Sequence, residues 1–347
     1  MAPSTPTIPG QAALDWSNLG FAYRPTRGIV RYTWKKGHWD QGVWQTDPTL
    51  QLHLGATALH YGQSCFEGLK AFAGADNQVR IFRPRCNAQR LAQSAERLCM
   101  PVVPESMFLE ACAWAVRENL AFVPPYGSGA SFYLRPLLIG SGATIGVAPS
   151  DEYTFVVLGI PVGDYYQGGL RPVTAVVTEH YDRAAPRGTG AIKTGANYAA
   201  DLKPHTESLA QGYPINLYLD ANQQGLIEEF GTSNFIALQG NTYLTPASPS
   251  ILPSITNASL QTLAAHAGYT IRQRPLRIDE VATFDEVAAC GTAVIITPVT
   301  RIVYKGETIC IGPHPDQVPP QMQSLYQQLR HIQFRELPDS HQWMFAV

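Results

Sequence analysis

The chain has 347 residues, of which 45% are hydrophobic and only 15% charged, and its formal net charge is −2. That length suits about two domains, and a near-neutral balance without a basic run argues against a partner read through its phosphate backbone, so no nucleic acid is expected. No apolar stretch reaches the ~18–20 residues that span a bilayer, and the Pro-rich first ten residues read as an arm rather than a signal peptide.

A charged fraction this far below the ~25% usual for globular proteins predicts that part of the surface is covered by a second copy, most simply in a homodimer. Cys65, Cys86, Cys99, Cys112, Cys290 and Cys310 form no CxxC pair and no cluster with the nine histidines. They read as reduced thiols of a cytoplasmic protein, with no metal site.

In chain order, Ile29 to Trp34 reads as a strand, a second lies near Lys70 to Phe72, and Gln78 to Ile81 alternates as an edge strand. Asn87 is a candidate N-cap for a helix with Leu91, Ala95 and Leu98 on one face. A helix over about Glu105 to Phe122 carries Phe108, Cys112 and Val116. Ser131 to Leu138 and Tyr153 to Pro161 are apolar, β-branched and aromatic, hence strands. The Gly-rich, aromatic stretch from Gly163 to Gly169 marks the best boundary, which divides the chain into 1–163, a linker over 164–176, and 177–347. Beyond it, Val173 to Thr178, Ile215 to Leu219, Asn234 to Leu238, Thr242 to Thr245 and Ala293 to Thr297 read as strands, with Gly240-Asn241 as a hairpin turn. Helices are expected over Thr256 to Ala267, stopped by Gly268, and over Met322 to Phe334. The alternation of strands and helices gives an α/β class with mixed sheets.

Three features carry chemistry. Gly188-Thr-Gly-Ala-Ile-Lys-Thr-Gly-Ala-Asn-Tyr198 sets Lys193 among small and apolar residues, with no acid within seven positions on either side. Apolar surroundings lower a lysine's pKa and make it an amine that condenses with aldehydes. Ile251 to Asn257 is a proline turn entering a helix, where the Ile255 and Thr256 amides would attract an anion. Arg90, expected in the first turn of the Asn87 helix, is out of place there unless an anion lies near. Thr292 offers a hydroxyl at a strand start. In Leu226 to Asn234, two adjacent acids sit in an apolar context, so alternation points one of them inward, where it needs a cationic partner. An amine for an aldehyde, an anion cradle and a buried acid are together the set that pyridoxal phosphate requires, although the residues alone do not name that cofactor.

Ordered matches along nearly the whole chain carry a resemblance. They include Ala58 to Phe72, Ile81 to Pro84, Tyr133 to Pro136, the Lys193 segment, Glu229 to Asn234, Gly291 to Ala293 and Trp343 to Val347. The chain resembles the branched-chain-amino-acid aminotransferases among the fold-type-IV pyridoxal-phosphate enzymes. The resemblance implies two α/β domains with pyridoxal 5′-phosphate at their interface. The implied reaction moves the amino group between leucine, isoleucine or valine and 2-oxoglutarate. It implies Lys193 as the Schiff-base lysine and proton shuttle, Tyr198 beside the ring oxygen, and Glu229 on the pyridine nitrogen. Arg90, Thr232, Ile255, Thr256 and Thr292 would complete the cofactor site. Tyr61, Phe66, Tyr133 and Tyr165 look like walls of an apolar pocket, Arg135 like the receiver of a γ-carboxylate, and Thr292 with Ala293 like the α-carboxylate site. Two rivals share these parts: D-amino-acid transamination or aminodeoxychorismate lyase chemistry, and a non-catalytic pyridoxal-phosphate carrier. The sequence departs from the family at Ser254, where a glycine is common, and at Asn257, where an arginine often stands. Val294 and Thr297 occupy the positions of a CxxC pair found in mammalian members, so no thiol switch is expected. Lys70 reads as a structural lysine paired with Glu67.

Overall fold

The computed structural model describes residues 10–163, 169–222 and 225–347. They divide into two compact units. The first takes 10–163, Ile192–Gly195 and His331–Val347, and the second takes 169–191 and Ala196–Arg330.

In chain order the first unit contains β1 (Ile29–Lys35), β2 (His38–Trp39), β3 (Val43–Gln45), α1 (Thr57–Tyr61), β4 (Ser64–Phe66), β5 (Leu69–Ala73), β6 (Val79–Phe82), α2 (Pro84–Arg97), α3 (Glu105–Glu118), β7 (Ser131–Gly140) and β8 (Glu152–Val162). The next elements are β9 (Val173–Val177), α4 (Gly195–Ala210), β10 (Ile215–Leu219), β11 (Ile227–Phe230), β12 (Ser233–Gln239), β13 (Thr242–Pro246), α5 (Ile255–His266), β14 (Thr270–Arg274), β15 (Glu286–Gly291), β16 (Ile295–Tyr304), β17 (Glu307–Cys310) and α6 (Pro320–Gln333). The last strand, β18 (Met344–Ala346), returns to the first sheet.

The first sheet runs β18-β6-β5-β7-β8-β1-β2, with β3 on β1 and β4 on β7. Its spine is the long β7–β8 hairpin, in register from Ser131 opposite Val162 to Gly140 opposite Tyr153. Helices α2 and α3 bury Ala88, Leu91, Ala95, Phe108, Cys112 and Val116 in one core with Ile81, Phe132, Leu134, Phe155 and Val157 from the strands. The Phe108, Cys112 and Val116 spacing is thus the core face that a 3.6-residue period demands. Truncating a fully buried phenylalanine such as Phe108 to alanine costs about 3–5 kcal/mol, transfer and cavity together.

The second sheet runs β11-β10-β9-β16-β15-β12-β13-β14 and mixes parallel with antiparallel pairs. Its core gathers Leu217, Phe230, Phe235, Leu244, Val287, Val299 and Ile302 with Ile278, Val281 and Phe284. The mixed α/β class expected from the sequence is therefore the observed one.

Several local expectations are corrected. Asn87 is not the cap of α2. The helix starts three residues earlier at Pro84, a proline at the first helical position, after Arg83 in the left-handed region at φ 48°. The segment around Gln78 to Ile81 is not an edge, because β18 pairs antiparallel with β6, matching Phe345 to Ile81. His331–Val347 therefore groups with the first unit, whereas the sequence reading assigned it to the second. The strand expected from Ala293 begins at Ile295, since Thr292–Val294 forms the turn of the β15–β16 hairpin. Most of the expected boundary stretch, residues 164–168, lies outside the described residues.

Candidate active site

Lys193 is held from both sides of its peptide. Its N–H donates to Ser94 Oγ at 3.0 Å, and its carbonyl accepts from the Phe66 N–H at 3.0 Å. Thr194 next to it donates its hydroxyl to Ser64 O at 2.9 Å and forms an isolated antiparallel bridge with Cys65. Ser94 also donates to the Arg90 carbonyl one turn back at 2.9 Å, which ties this anchor to α2. The backbone around the amine is thus fixed by β4 and α2, so the side chain has a defined origin.

The Lys193 amine lies 4.9 Å from the centre of the Phe66 ring, and the Arg135 guanidinium lies 4.7 Å from that same centre. Arg135 also sits 5.3 Å from the Tyr133 ring centre and donates to the Tyr133 hydroxyl from Nε at 3.3 Å and Nη2 at 3.0 Å. Lys193 as a whole is half-buried, yet its amine is enclosed, and burial draws its pKa down to about 8. The positive charge of Arg90 lowers it next most strongly, while Glu67 pulls it back up. Such an amine has a sizeable neutral, nucleophilic fraction near neutral pH. Beside it, burial raises the Cys65 thiol to about 12, which makes that cysteine inert.

The charge next to this amine is set by a pair that the sequence did not reveal. Arg90 is buried, and its Nε and Nη2 meet Glu67 Oε1 and Oε2, each at 2.7 Å. Glu67 is fully buried, and its Oε2 also accepts from Asn87 Nδ2 at 2.8 Å and from the Gly68 N–H at 3.3 Å. This corrects the reasoning about Arg90. It stands in the second turn of α2, so the helix dipole does not account for it and the Glu67 carboxylate does. It also corrects Asn87, whose amide serves Glu67 and not the helix start.

The second unit builds around Glu229. Alternation along β11 led to the expectation of one buried acid, but Glu228 and Glu229 are each 4% exposed. Glu229 Oε1 meets Arg183 Nη2 at 2.7 Å and accepts from the Leu252 N–H at 3.2 Å, while Oε2 accepts from Asn234 Nδ2 at 2.7 Å. Glu228 accepts from the Ser248 hydroxyl at 2.8 Å, and burial raises its pKa. Arg183, absent from the sequence reading, also donates to the carbonyls of Gly190 and Ser250. A side chain on Gly190 would collide with that Ser250 carbonyl and with the guanidinium, which is why a glycine stands there. Thr189 and Asn197 exchange two hydrogen bonds of 2.8 Å and so clasp the chain on either side of Lys193.

Asn234 Nδ2 also donates to Leu252 O at 3.1 Å, so the acid is tied to the turn that enters α5. There Ser254 caps the helix by accepting from the Asn257 N–H at 3.1 Å. The Ile255 and Thr256 amides precede that bond at the positive end of the helix. Asn257 is buried between α5 and β13, where it accepts from the Tyr243 hydroxyl at 2.8 Å and donates to Thr245 Oγ1 at 2.9 Å. The two family departures therefore form one capping and packing device.

Thr292 and Ala293 are half-buried in the β15–β16 turn. That turn ends at Ile295, buried at φ 64°, with the Ile296 N–H reaching back to Val294 O at 2.9 Å. A β-branched residue in the left-handed region is strained and stays there only because the hairpin around it holds. Tyr198 lies in the first turn of α4, and Thr232 is exposed in the β11–β12 turn. Tyr61 is 43% exposed, with its hydroxyl on the Ile145 carbonyl. Tyr165 lies outside the described residues. Within the first unit, then, Phe66, Arg90, Tyr133, Arg135 and Lys193 come together. Within the second, Glu229 joins the entry to α5.

Residues 64–302 match the amino-transferase class IV family, and the chain belongs to that family of transaminases. The branched-chain-amino-acid aminotransferase of Haemophilus influenzae is 45% identical over 341 residues, covering 96% of this chain and 99% of that protein. Its counterpart in Helicobacter pylori is 44% identical over 343 residues, covering 98% and 100%. Among solved structures, the Escherichia coli branched-chain amino acid aminotransferase superposes with a TM-score of 0.77 at 28% identity, covering 91% of this chain and 99% of that one.

Proposed function

We propose that this chain transfers the amino group between branched-chain L-amino acids and 2-oxoglutarate with pyridoxal 5′-phosphate as cofactor. The observation that carries the reading is the Lys193 amine, enclosed and drawn down to about 8. The donor set fits the cofactor. Lys193 suits its aldehyde. The guanidinium of Arg90, the Ile255 and Thr256 amides and the hydroxyls of Thr292 and Thr232 suit a phosphate. An acid braced by one cation and two N–H donors suits a protonated ring nitrogen. Tyr198 is assigned to the ring oxygen.

When bound, the cofactor supplies an aldehyde to take up the amine and a ring that spreads the negative charge left at Cα. Lys193 is the general base and acid that moves the Cα proton, a role suited to a pKa near the working pH. Glu229 would face the ring nitrogen of a bound cofactor, and Arg183 keeps that carboxylate in place. The Phe66, Tyr133 and Tyr61 rings accept the aliphatic side chain of leucine, isoleucine or valine. Arg135, with its guanidinium over the Phe66 and Tyr133 rings, presents a cation to the γ-carboxylate of the acceptor. Thr292 and Ala293 receive the α-carboxylate.

The same reading takes the protein as a cytoplasmic homodimer. Six free cysteines fit a reducing compartment. The uncharged segments around Leu54, Leu59, Ile145 and Val147 expose these side chains by 57–89%, an apolar surface fit for a second copy. No helix among the described residues is long and apolar enough to cross a membrane.

The test is turnover of purified protein with pyridoxal phosphate, L-leucine and 2-oxoglutarate, followed as 4-methyl-2-oxopentanoate and glutamate. L-leucine should serve and D-leucine should not. Bound cofactor without exchange of label between leucine and 2-oxoglutarate would overturn the reading.

A further inference from the structure

Glu67 has no place in the roles above, yet it is the most enclosed carboxylate beside the amine. It is fully buried. Both of its oxygens are committed to Arg90, through Nε and Nη2 at 2.7 Å each, and Asn87 and the Gly68 N–H hold the carboxylate in turn. A two-point fork of this kind fixes the plane of a guanidinium, where one contact would leave it free to swing. Burying an acid merely to strengthen the fold is a poor use of it, because the desolvation penalty offsets most of the attraction. The pair also has a neighbour that feels both of its charges. Among the described residues, the charged and titratable groups acting on the Lys193 amine include Arg90 from α2, Glu67 from the turn after β4, and Tyr133 and Arg135 from β7.

We propose that Glu67 is a positioning residue: its carboxylate sets the plane in which Arg90 meets the cofactor's phosphate, and it offsets the Arg90 charge beside Lys193. The first half rests on the pyridoxal-phosphate reading. The second concerns this chain's own residues alone.

The two effects separate by experiment. In Glu67→Gln the shape is kept and the charge removed. Arg90 then stands uncompensated near the amine, so the Lys193 titration moves to lower pH. It is read in cofactor-free protein as the rate of reductive trapping of pyridoxal at Lys193 between pH 6 and 10. The dissociation constant for pyridoxal phosphate rises about tenfold, the loss expected of one charge-assisted contact. Binding of pyridoxal, which lacks the phosphate, changes far less, so the preference for the phosphorylated form falls. A residue needed only for folding would weaken both forms alike. Glu67→Asp keeps the charge on a shorter arm, so the phosphate preference falls while the Lys193 titration stays near that of the wild type. This variant also decides the matter if Glu67→Gln does not fold.

Equal loss of both forms, tighter binding of the phosphorylated one, or an unmoved Lys193 titration in Glu67→Gln would overturn the inference, as would a Glu67→Asp protein with the wild-type preference. Wild-type protein that takes neither form at Lys193 would sink the cofactor reading along with it, an outcome told apart by the unsubstituted chain alone.

Discussion

Each unit buries one glutamate against one arginine at 2.7 Å, and the two pairs are built differently. Glu67 and Arg90 face each other as a fork, with the arginine spending two nitrogens on one carboxylate. Arg183 gives Glu229 a single contact and turns to the Gly190 and Ser250 carbonyls as well. The first arrangement fixes an arginine. The second fixes an acid, because Asn234 and Leu252 grip Glu229 while Arg183 staples two loops behind it. The lesson is that a buried ion pair can serve either member: a two-nitrogen fork orients the arginine, and a single contact backed by neighbouring donors holds the acid.

The largest effect should come from the amine that neighbours the first pair. Lys193→Ala removes the nucleophile and the proton carrier together, and turnover of L-leucine with 2-oxoglutarate should fall by at least about 10⁴-fold. Residual turnover near the wild type would remove Lys193 from the chemistry. Next, Glu229→Gln should lower kcat by about 10²-fold or more, with less effect on the pyridoxal phosphate dissociation constant. An unchanged kcat would mean that the acid of the second pair is structural only.

Arg183→Leu sharpens the contrast from the other side. It strands a buried carboxylate, so urea unfolding should show a loss of about 3–5 kcal/mol, and kcat should suffer less than in Glu229→Gln. The reverse ranking would exchange the roles of support and supported. A subtler effect concerns pH. The Lys193 pKa is about 8 in the folded chain against 10.5 in the unfolded one. Between these values the unfolded chain binds the extra proton, so this group adds stability as pH rises from 8 towards 10.5. Cofactor-free Lys193→Met should therefore be more stable than the wild type below about pH 8, with an advantage that shrinks across that window in thermal unfolding. A constant difference would show that the amine is not destabilised by burial. The smallest change is Ser254→Ala, which removes the α5 cap at a cost of about 1 kcal/mol.

Much of this was legible in the sequence because it is local. Ile215–Leu219 occurs as read, Gly268 stops α5 at φ 93°, and Lys193 stood out by its small neighbours. What escaped is long-range. Arg183 lies 46 positions before Glu229, and no spacing rule links them. Sequence proximity pairs Glu67 with Lys70 three residues on, while its fork closes on Arg90, 23 positions away. The start of α2 is legible in Pro84, an ordinary first residue of a helix, whereas Asn87, the better-known type of cap, gives its amide to Glu67. The burial of both Glu228 and Glu229 defeats alternation, because β11 is covered on both faces.

The pairing of β18 with β6 has a practical side. With Met344–Ala346 in place, the first sheet ends in a strand only three residues long. Deleting that segment would bare the whole of β6, a longer row of unmet backbone donors and acceptors and a template for like strands of other molecules. Shortened versions made for crystallisation should therefore clump, and the remedy would be to restore those few residues before touching the core.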